Sequence, residues 1–238
     1  MQLQTMASAS KTLTLCQCQC QWWSSSTSSS SSLHIPSRVT CRASESHPQQ
    51  LSVDKTICQI KTSGVIACLR ANSAEVALEA ANVAIAGGIS VVGTVLRIED
   101  AKTAINAGAK FLMSPANVKD IMDYVQGREV LYIPGAMTPT EILSAYDAGA
   151  KMVKIYPVSA LGGFQYIEAL KKPFPHVSMV ASQGITIDSI VEYITRGASS
   201  VVLSDAIFDK EAIAECNFSK IYKLAQSATM LGNQAVNR

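Results

Sequence analysis

One lysine lies in an apolar segment whose alternation would carry its side chain into a protein interior. Lys154 is the central residue of Met152-Val153-Lys154-Ile155-Tyr156. In a β-strand, Met152, Lys154 and Tyr156 share one face, and Val153 and Ile155 share the other. Burial disfavours the charged ammonium and lowers the pKa of a lysine, and the neutral amine is the form that attacks a carbonyl carbon. The segment therefore predicts a Schiff-base nucleophile at Lys154.

A solvated lysine on an edge strand is the competing interpretation of the same residue. Charged side chains are rarely buried, so this is the more common case for an isolated strand lysine. It predicts polar neighbours on the face that carries Lys154, whereas Met152 is not polar. The apolar neighbour favours the interior position.

Polar side chains also end other apolar segments. In parallel α/β folds the active site lies at the C-terminal ends of the strands. Arg70 follows the first predicted strand, and its guanidinium suits a carboxylate or a phosphate; a surface arginine near a helix end is the alternative. Thr94 and Ser182 end two other strands and offer hydroxyl donors to substrate oxygens.

The sequence contains no recognisable pattern of metal or cofactor ligands. His34 and His47 lie in or near the N-terminal segment, and His176 lies in a predicted loop. The glycines form neither a GxGxxG motif nor a P-loop. We therefore expect no metal and no nucleotide cofactor.

Charge and hydropathy argue against two classes of partner. The net charge is +2, but residues 1–44 hold three basic residues and no acid, which leaves 17 basic against 18 acidic residues in the remainder. Without a basic stripe, no nucleic-acid partner is expected. The longest uncharged apolar stretch, Ala81–Leu96, has 16 residues, and a membrane span needs about 20, so no membrane partner is expected.

A helix that ends in glycine and passes directly into a short apolar strand recurs along the chain. The glycines are Gly87-Gly88, Gly108, Gly149 and Gly197. Glycine tolerates the left-handed conformation that ends a helix, and tight loops join such helices to strands. The predicted strands are Gly64–Leu69, Ile89–Val95, Lys110–Ser114, Val130–Pro134, Met152–Tyr156, Ser178–Ser182 and Ser200–Leu203.

Helix starts follow the same alternation. Thr138-Pro139-Thr140-Glu141 predicts a capping box with proline at the first helical position. Asn72, with Glu75 three residues later, and Thr186, with Asp188 nearby, predict two further starts.

Alternating helices and apolar strands predict an α/β fold with a parallel sheet, open or closed. A closed (β/α) barrel of this type has eight strands, whereas seven are predicted here. The second one is unusual because Ile89–Val92 runs into Gly93–Leu96 without turn residues. It resembles the start of one strand fused to the end of another.

Residues 1–44 differ in composition from the rest. They contain no acid, and Ser24–Ser32 consists of Ser and Thr only. This composition predicts a plastid transit peptide, with an ordinary disordered tail as the alternative. We divide the remainder into an N-terminal extension (45–62), the β/α domain (63–230) and a C-terminal tail (231–238).

Several short motifs occur together in a fixed order, and together they resemble the 2-keto-3-deoxy-6-phosphogluconate / 4-hydroxy-2-oxoglutarate aldolase family over roughly residues 60–228. The motifs are Val65-Ile66-Ala67-Cys68-Leu69-Arg70-Ala71-Asn72-Ser73, Gly93-Thr94-Val95, Met113-Ser114-Pro115, Ile133-Pro134-Gly135-Ala136-Met137-Thr138-Pro139-Thr140-Glu141, Val153-Lys154-Ile155-Tyr156-Pro157, Gly162-Gly163 and Lys172-Pro173-Phe174-Pro175.

The resemblance implies a TIM-type (β/α) barrel, a homotrimer and a metal-free class I aldolase that releases pyruvate and an aldehyde from a small 2-keto acid. It places Lys154 at the position of the lysine that attacks the 2-keto group. It assigns substrate binding to Arg70, Thr94, Pro115, Ser182 and Gly184.

Three departures from the family pattern accompany the resemblance. About one βα unit, roughly 30 residues, is absent between Val92 and Gly93, and with it the general acid/base glutamate. The Pro-Thr-Gly-Gly loop of the family is replaced by Ala181-Ser182-Gln183-Gly184. Ser204-Asp205 follows the last strand, where a carboxylate would repel a phosphate.

Two hypotheses of different classes follow. The first is a plastid Schiff-base aldolase that cleaves a 2-keto-3-deoxy or 4-hydroxy-2-keto acid, impaired by the missing glutamate. The second is a catalytically inactive barrel that acts as a binding or assembly partner. A phosphosugar isomerase-like barrel predicts a basic or glycine-rich phosphate cradle at residues 181–184 and 203–206, which the sequence lacks.

Overall fold

Parallel strands alternate with helices along the part of the chain that the computed structural model describes, residues 48–70 and 73–238. The strands are β1 (Val65–Cys68), β2 (Ser90–Val92), β3 (Phe111–Met113), β4 (Leu131–Ile133), β5 (Gly135–Ala136), β6 (Met152–Ile155), β7 (Ser178–Ser182) and β8 (Ser200–Leu203). The α-helices are α1 (Pro48–Ser63), α2 (Ala74–Ala86), α3 (Ile98–Asn106), α4 (Lys119–Val125), α5 (Pro139–Asp147), α6 (Phe164–Lys171), α7 (Ile190–Thr195), α8 (Lys210–Ala214) and α9 (Phe218–Val236). Short 3-10 helices cover Val158–Leu161 and Ile187–Ser189.

The strands follow one another around a ring. Six pair in the order β2-β1-β8-β7-β6-β5, and β3 pairs with β4, every pair being parallel. Only Pro134 separates β4 from β5, so these two segments act as one bent strand that joins the two sheets. The described residues thus form seven strand positions of a TIM-type barrel that lacks one βα unit, which confirms the predicted fold class.

The ring closes through the short segment that follows β2. The carbonyl of Val92 accepts a hydrogen bond from Leu69 N at 3.0 Å, on the β1 side. Three residues later, Val95 N donates to Met113 O at 3.0 Å, on the β3 side. Ser114 Oγ also donates to Val95 O at 2.6 Å. The segment from Val92 to Val95 therefore pairs with the β1 side at its start and with β3 at its end, as the prediction of a fused strand requires.

Alternation along the strands separates an interior core from an outer one. The interior cluster consists of Ile60, Ile66, Cys68, Val92, Met113, Leu131, Ile133, Met152, Val180 and Val202. Val153 and Ile155 belong to the larger cluster between strands and outer helices. Met152 is thus interior and its neighbours in β6 face outward, which confirms the predicted orientation of this strand.

Helix α1 closes the N-terminal end of the barrel. Ile60 is part of the interior cluster, and Val53 and Ile57 pack against it. These three residues lie on one face of a helix because their spacings are four and three. Residues 45–62, predicted only as an extension, therefore contain a structural part of the domain.

Helix α9 crosses the outside of the barrel beside α1 and α2. A Cβ on Gly87 would lie 2.8 Å from Ala225 Cβ, and one on Gly232 would lie 2.3 Å from Ser63 O. These close approaches hold α9 against the helices before and after β1. The prediction of a C-terminal tail at 231–238 is wrong, since α9 continues to Val236 and Ala235 is buried.

The predicted boundaries mostly shift by one residue. The capping box of α5 is confirmed: Glu141 N donates to Thr138 Oγ1, and Thr138 N donates to Glu141 Oε2. The cap of α2 was misplaced, because Ser73 accepts from Val76 N, while Asn72 lies outside the described residues. Predicted strand Ile89–Val95 is shorter, because the chain leaves β1 after Val92 to reach β3.

Across the described ranges, no helix is both long and apolar enough to cross a membrane. The predicted leader, residues 1–44, lies outside the residues that the structure describes.

The bend between β4 and β5 predicts a stringent requirement for glycine at position 135. A Cβ there would lie 2.1 Å from the carbonyl carbon of Pro115, and backbone atoms cannot yield cheaply. We expect Gly135→Ala to lower the free energy of unfolding by about 3 kcal/mol or more, as severe overpacking does. Urea unfolding measures the effect.

Gly93→Ala is the matched control, because nothing lies within 4 Å of a Cβ at that position. Its expected change is within about 0.5 kcal/mol. Equal destabilisation by the two variants would contradict the packing argument.

Candidate active site

Lys154 lies near the C-terminal end of β6, and its side chain is buried with 4% of its surface exposed. Its backbone N–H donates to Pro134 O at 2.8 Å, and it pairs in register with Gly135 on one side and Val180 on the other. Since Met152 is interior, the residue two positions later on the same face is interior as well. The strand thus places the amine inside the barrel, at the catalytic end of such folds.

Burial lowers the pKa of the Lys154 ammonium below its ordinary value. Electrostatic interaction with Cys68 opposes this shift, and the positive charge of Arg70 adds to it. Within the described part of the chain, no hydrogen bond or salt bridge joins Lys154 Nζ to another residue. The nitrogen lies 4.9 Å from the centre of the Tyr156 ring. The site thus favours the neutral, nucleophilic form of the amine.

Three residues from the first two strand ends lie at the same end of the barrel as this lysine. Cys68 ends β1 and is 4% exposed, and its Sγ lies 3.9 Å from Thr94 Oγ1. Arg70 follows two residues later and is exposed. The structure thus brings Thr94 and Arg70, both predicted from the sequence, to the same end of the barrel as Lys154.

Cys68 was missed as a site residue by sequence reasoning. Its signal was the alternation of β1, because Ile66 and Cys68 share one face of the strand and Arg70, already chosen, lies two residues beyond its end. Cysteine is among the most commonly buried residue types, so a buried cysteine in an apolar strand draws little attention.

A second corner of the site is built from the loop after β7. Ser182 is buried at the end of the strand, two residues beyond Val180, the partner of Lys154. Gln183 has a φ of 88°, and its Oε1 accepts a hydrogen bond from Ser159 Oγ. A Cβ on Gly184 would lie 2.5 Å from Ser159 Cβ, so glycine is required at this contact.

An open groove of about 590 Å³ lies near the C-terminal ends of β5 and β6. Pro115, Gly135, Tyr156 and Thr140 are among its lining residues. The groove and Lys154 share one neighbour, since Tyr156 lines the groove and its ring centre lies 4.9 Å from Lys154 Nζ. Pro115, predicted as a substrate contact, lines the same groove.

Several carboxylates belong to the first turns of outer helices. Glu141 accepts from Met137 N at 2.7 Å and from Thr138 N at 2.8 Å, and these backbone donors hold its pKa below the ordinary value. Glu99 and Asp100 lie in the first turn of α3. Among the described residues, the charged or titratable groups that influence the pKa of Lys154 are Cys68 and Arg70, and neither is a carboxylate.

Metal binding has no support in the geometry. In the ranges 48–70 and 73–238, no group of three or more His, Cys, Asp or Glu side chains is close enough to hold an ion. What the site offers is an amine nucleophile, a guanidinium, hydroxyls and a thiol. Such a set suits covalent catalysis on a carbonyl compound that carries a carboxylate.

Known aldolases resemble this chain in sequence. The model of the KDPG and KHG aldolase family matches residues 67–224. A 2-dehydro-3-deoxy-phosphogluconate aldolase of Treponema pallidum is 32% identical over 139 residues, which cover 58% of this chain and 66% of that protein. A KHG/KDPG aldolase of Escherichia coli K12 is 26% identical over 136 residues, 57% of this chain and 64% of that protein. The aligned part thus spans slightly less than two thirds of either relative.

Solved structures show the same fold. A KDPG aldolase from Legionella pneumophila, with pyruvate captured as a covalent carbinolamine intermediate, superposes with a TM-score of 0.64 at 23% identity, over 77% of this chain and 98% of that one. The family match extends over more than half of the chain and includes β1 to β8 from Ala67 onward. This chain belongs to the KDPG and KHG aldolase family.

Proposed function

We propose that this protein is a class I aldolase that cleaves a 2-keto-3-deoxy or 4-hydroxy-2-keto acid into pyruvate and an aldehyde. The observation that carries the proposal is Lys154, a buried amine without an ion-pair partner among the described residues. Its lowered pKa supports the nucleophilic role. The Legionella relative, whose pyruvate is bound as a covalent carbinolamine, supports the same chemistry.

The reaction begins when the neutral amine of Lys154 adds to the 2-keto carbon. Loss of water converts the carbinolamine into an iminium, whose positive nitrogen draws electrons from the substrate. The proton of the 4-hydroxyl is then removed, the C3–C4 bond breaks, and its electron pair forms an enamine. The aldehyde departs, C3 is protonated, and hydrolysis releases pyruvate and restores Lys154.

The surrounding residues bind and orient the substrate. The Arg70 guanidinium is suited to the carboxylate next to the keto group. Thr94 and Ser182 supply hydroxyl donors on either side of the barrel mouth. Pro115 and Gly184 shape the walls, where their backbones pack closely against Gly135 and Ser159.

The activity is expected to be weaker than that of an aldolase with an acid/base carboxylate beside its lysine. General acid–base catalysis contributes about 10²–10⁴-fold to a rate. Iminium formation itself depends on Lys154, so adduct formation with pyruvate is expected to persist when turnover is slow.

Borohydride trapping with pyruvate tests the nucleophile directly. We expect the protein to gain one reduced pyruvate adduct, located on Lys154 by peptide mass spectrometry. Lys154→Ala removes the nucleophile and is expected to lower trapping by at least about 100-fold. Lys151→Ala is the matched control, because Lys151 is an exposed lysine three residues earlier.

The rate of borohydride trapping is expected to rise with pH. Because burial lowers the pKa of Lys154 below 10.5, its neutral fraction and its trapping rate rise with pH and level off below the range in which exposed lysines titrate. A folded protein that forms no adduct at any pH would contradict the aldolase proposal and favour the non-catalytic binding protein.

We also propose that residues 1–44 are a plastid transit peptide and that the enzyme acts in the plastid stroma. The absence of acids and the run of Ser and Thr support this. N-terminal sequencing of the native protein is expected to begin near Arg42-Ala43. A native protein that retains Met1 would exclude a cleaved leader.

A homotrimer is the proposed assembly. Leu143 and Tyr146 on α5 are 47% and 41% exposed, so an apolar surface is available for a subunit contact. Sedimentation equilibrium of the purified protein is expected to give three times the protomer mass, and a protomer mass at micromolar concentration would exclude a stable trimer.

A further inference from the structure

The thiol of Cys68 is buried inside the barrel at the end of β1. In the described part of the chain, no carboxylate or imidazole acts electrostatically on Lys154, whereas Cys68 does. An iminium without a proton-transferring neighbour would form and then react slowly, because both bond cleavage and enamine protonation require proton movement.

The geometry places the thiol inside the barrel. Cys68 is 4% exposed and belongs to the same interior cluster as Met152, the residue below Lys154 on its face of β6, and Val180, the register partner of Lys154. It is the last residue of β1, so it lies at the C-terminal end of the barrel, as Lys154 does. Both side chains therefore face the same interior space from opposite parts of the ring.

A hydroxyl group lies beside the thiol. Cys68 Sγ and Thr94 Oγ1 are 3.9 Å apart, and either atom is able to donate. Thr94 lies in the segment that closes the ring between β2 and β3, so the pair marks the point where the βα unit is absent.

We propose that Cys68 is the proton-transferring residue of this aldolase site. The inference rests on the proposed function. Once Lys154 has formed the iminium, the Cys68 thiolate takes the proton of the 4-hydroxyl group. The C3–C4 electron pair moves into the C2–C3 bond, the iminium π pair moves to nitrogen, and the aldehyde leaves. The thiol then returns its proton to C3 of the enamine, which regenerates the iminium and the thiolate before hydrolysis.

Exchange of the pyruvate methyl hydrogens in D₂O, followed by ¹H NMR, isolates the proton-transfer step from aldehyde chemistry. We expect the unaltered protein to exchange these hydrogens. Cys68→Ser and Cys68→Ala are expected to slow the exchange by about 100-fold or more, while borohydride trapping on Lys154 stays within about threefold. Cys58→Ser and Cys216→Ser are matched controls, since both cysteines are exposed, and their exchange is expected to be unchanged.

Alkylation of the unaltered protein provides a measurement that requires no variant to fold. Prior reduction of the pyruvate adduct is expected to protect Cys68 from iodoacetamide, as judged by peptide mass spectrometry, without protecting Cys58 or Cys216. Equal labelling of Cys68 with and without the adduct would show that the thiol does not face the substrate.

The outcomes separate the two proposals. Trapping without exchange in the unaltered protein, or exchange that persists in both Cys68 variants, overturns the role of Cys68 and leaves the nucleophile intact. If a folded Cys68 variant loses both borohydride trapping and hydrogen exchange, the role of Cys68 in proton transfer is also overturned, because the thiol would then act on Lys154. Failure of the unaltered protein to form any adduct overturns the aldolase proposal itself.

Discussion

The barrel depends on one short connection, the segment from Val92 to Val95. The carbonyl of the first residue pairs with the β1 side, and the amide of the last pairs with Met113 on the β3 side. A parallel sheet of seven strand positions would otherwise have two open edges, with unpaired backbone groups that cost free energy when buried. The side-chain bond from Ser114 to the Val95 carbonyl reinforces this junction. Every strand end that carries a site residue is held in place by the closed ring.

Closure explains why Lys154 has the environment of a nucleophile. The amine is surrounded by interior residues from several strands, and the resulting loss of hydration lowers its pKa. An ammonium buried without a salt bridge costs folding free energy, and proteins keep such groups chiefly at functional sites. The same residue therefore weakens the fold and is the nucleophile of the proposed reaction.

The missing βα unit affects the proposed reaction more than the architecture. The ring still closes, and the C-terminal strand ends still meet around the lysine. What the described residues lack beside Lys154 is a carboxylate, since Glu141 is held by the cap of α5 and Glu99 and Asp100 belong to α3. A thiol on the last residue of β1, next to the threonine at the shortened junction, is the proposed proton-transferring group.

The alternating elements and the orientation of Lys154 were determined by the sequence alone. Glycines at helix ends, the Thr138–Glu141 capping box and the apolar strands are local features, so they predicted the alternating elements and the inward face of Lys154 before any contact was known. The direct passage from Val92 to Gly93 indicated the fused strand for the same reason. Only the tertiary structure showed that α1 closes the floor of the barrel and that α9 continues to Val236, because both depend on packing between segments far apart in the chain. It alone placed Cys68 beside Thr94 and within electrostatic reach of Lys154, since this contact exists only when the ring of strands has closed.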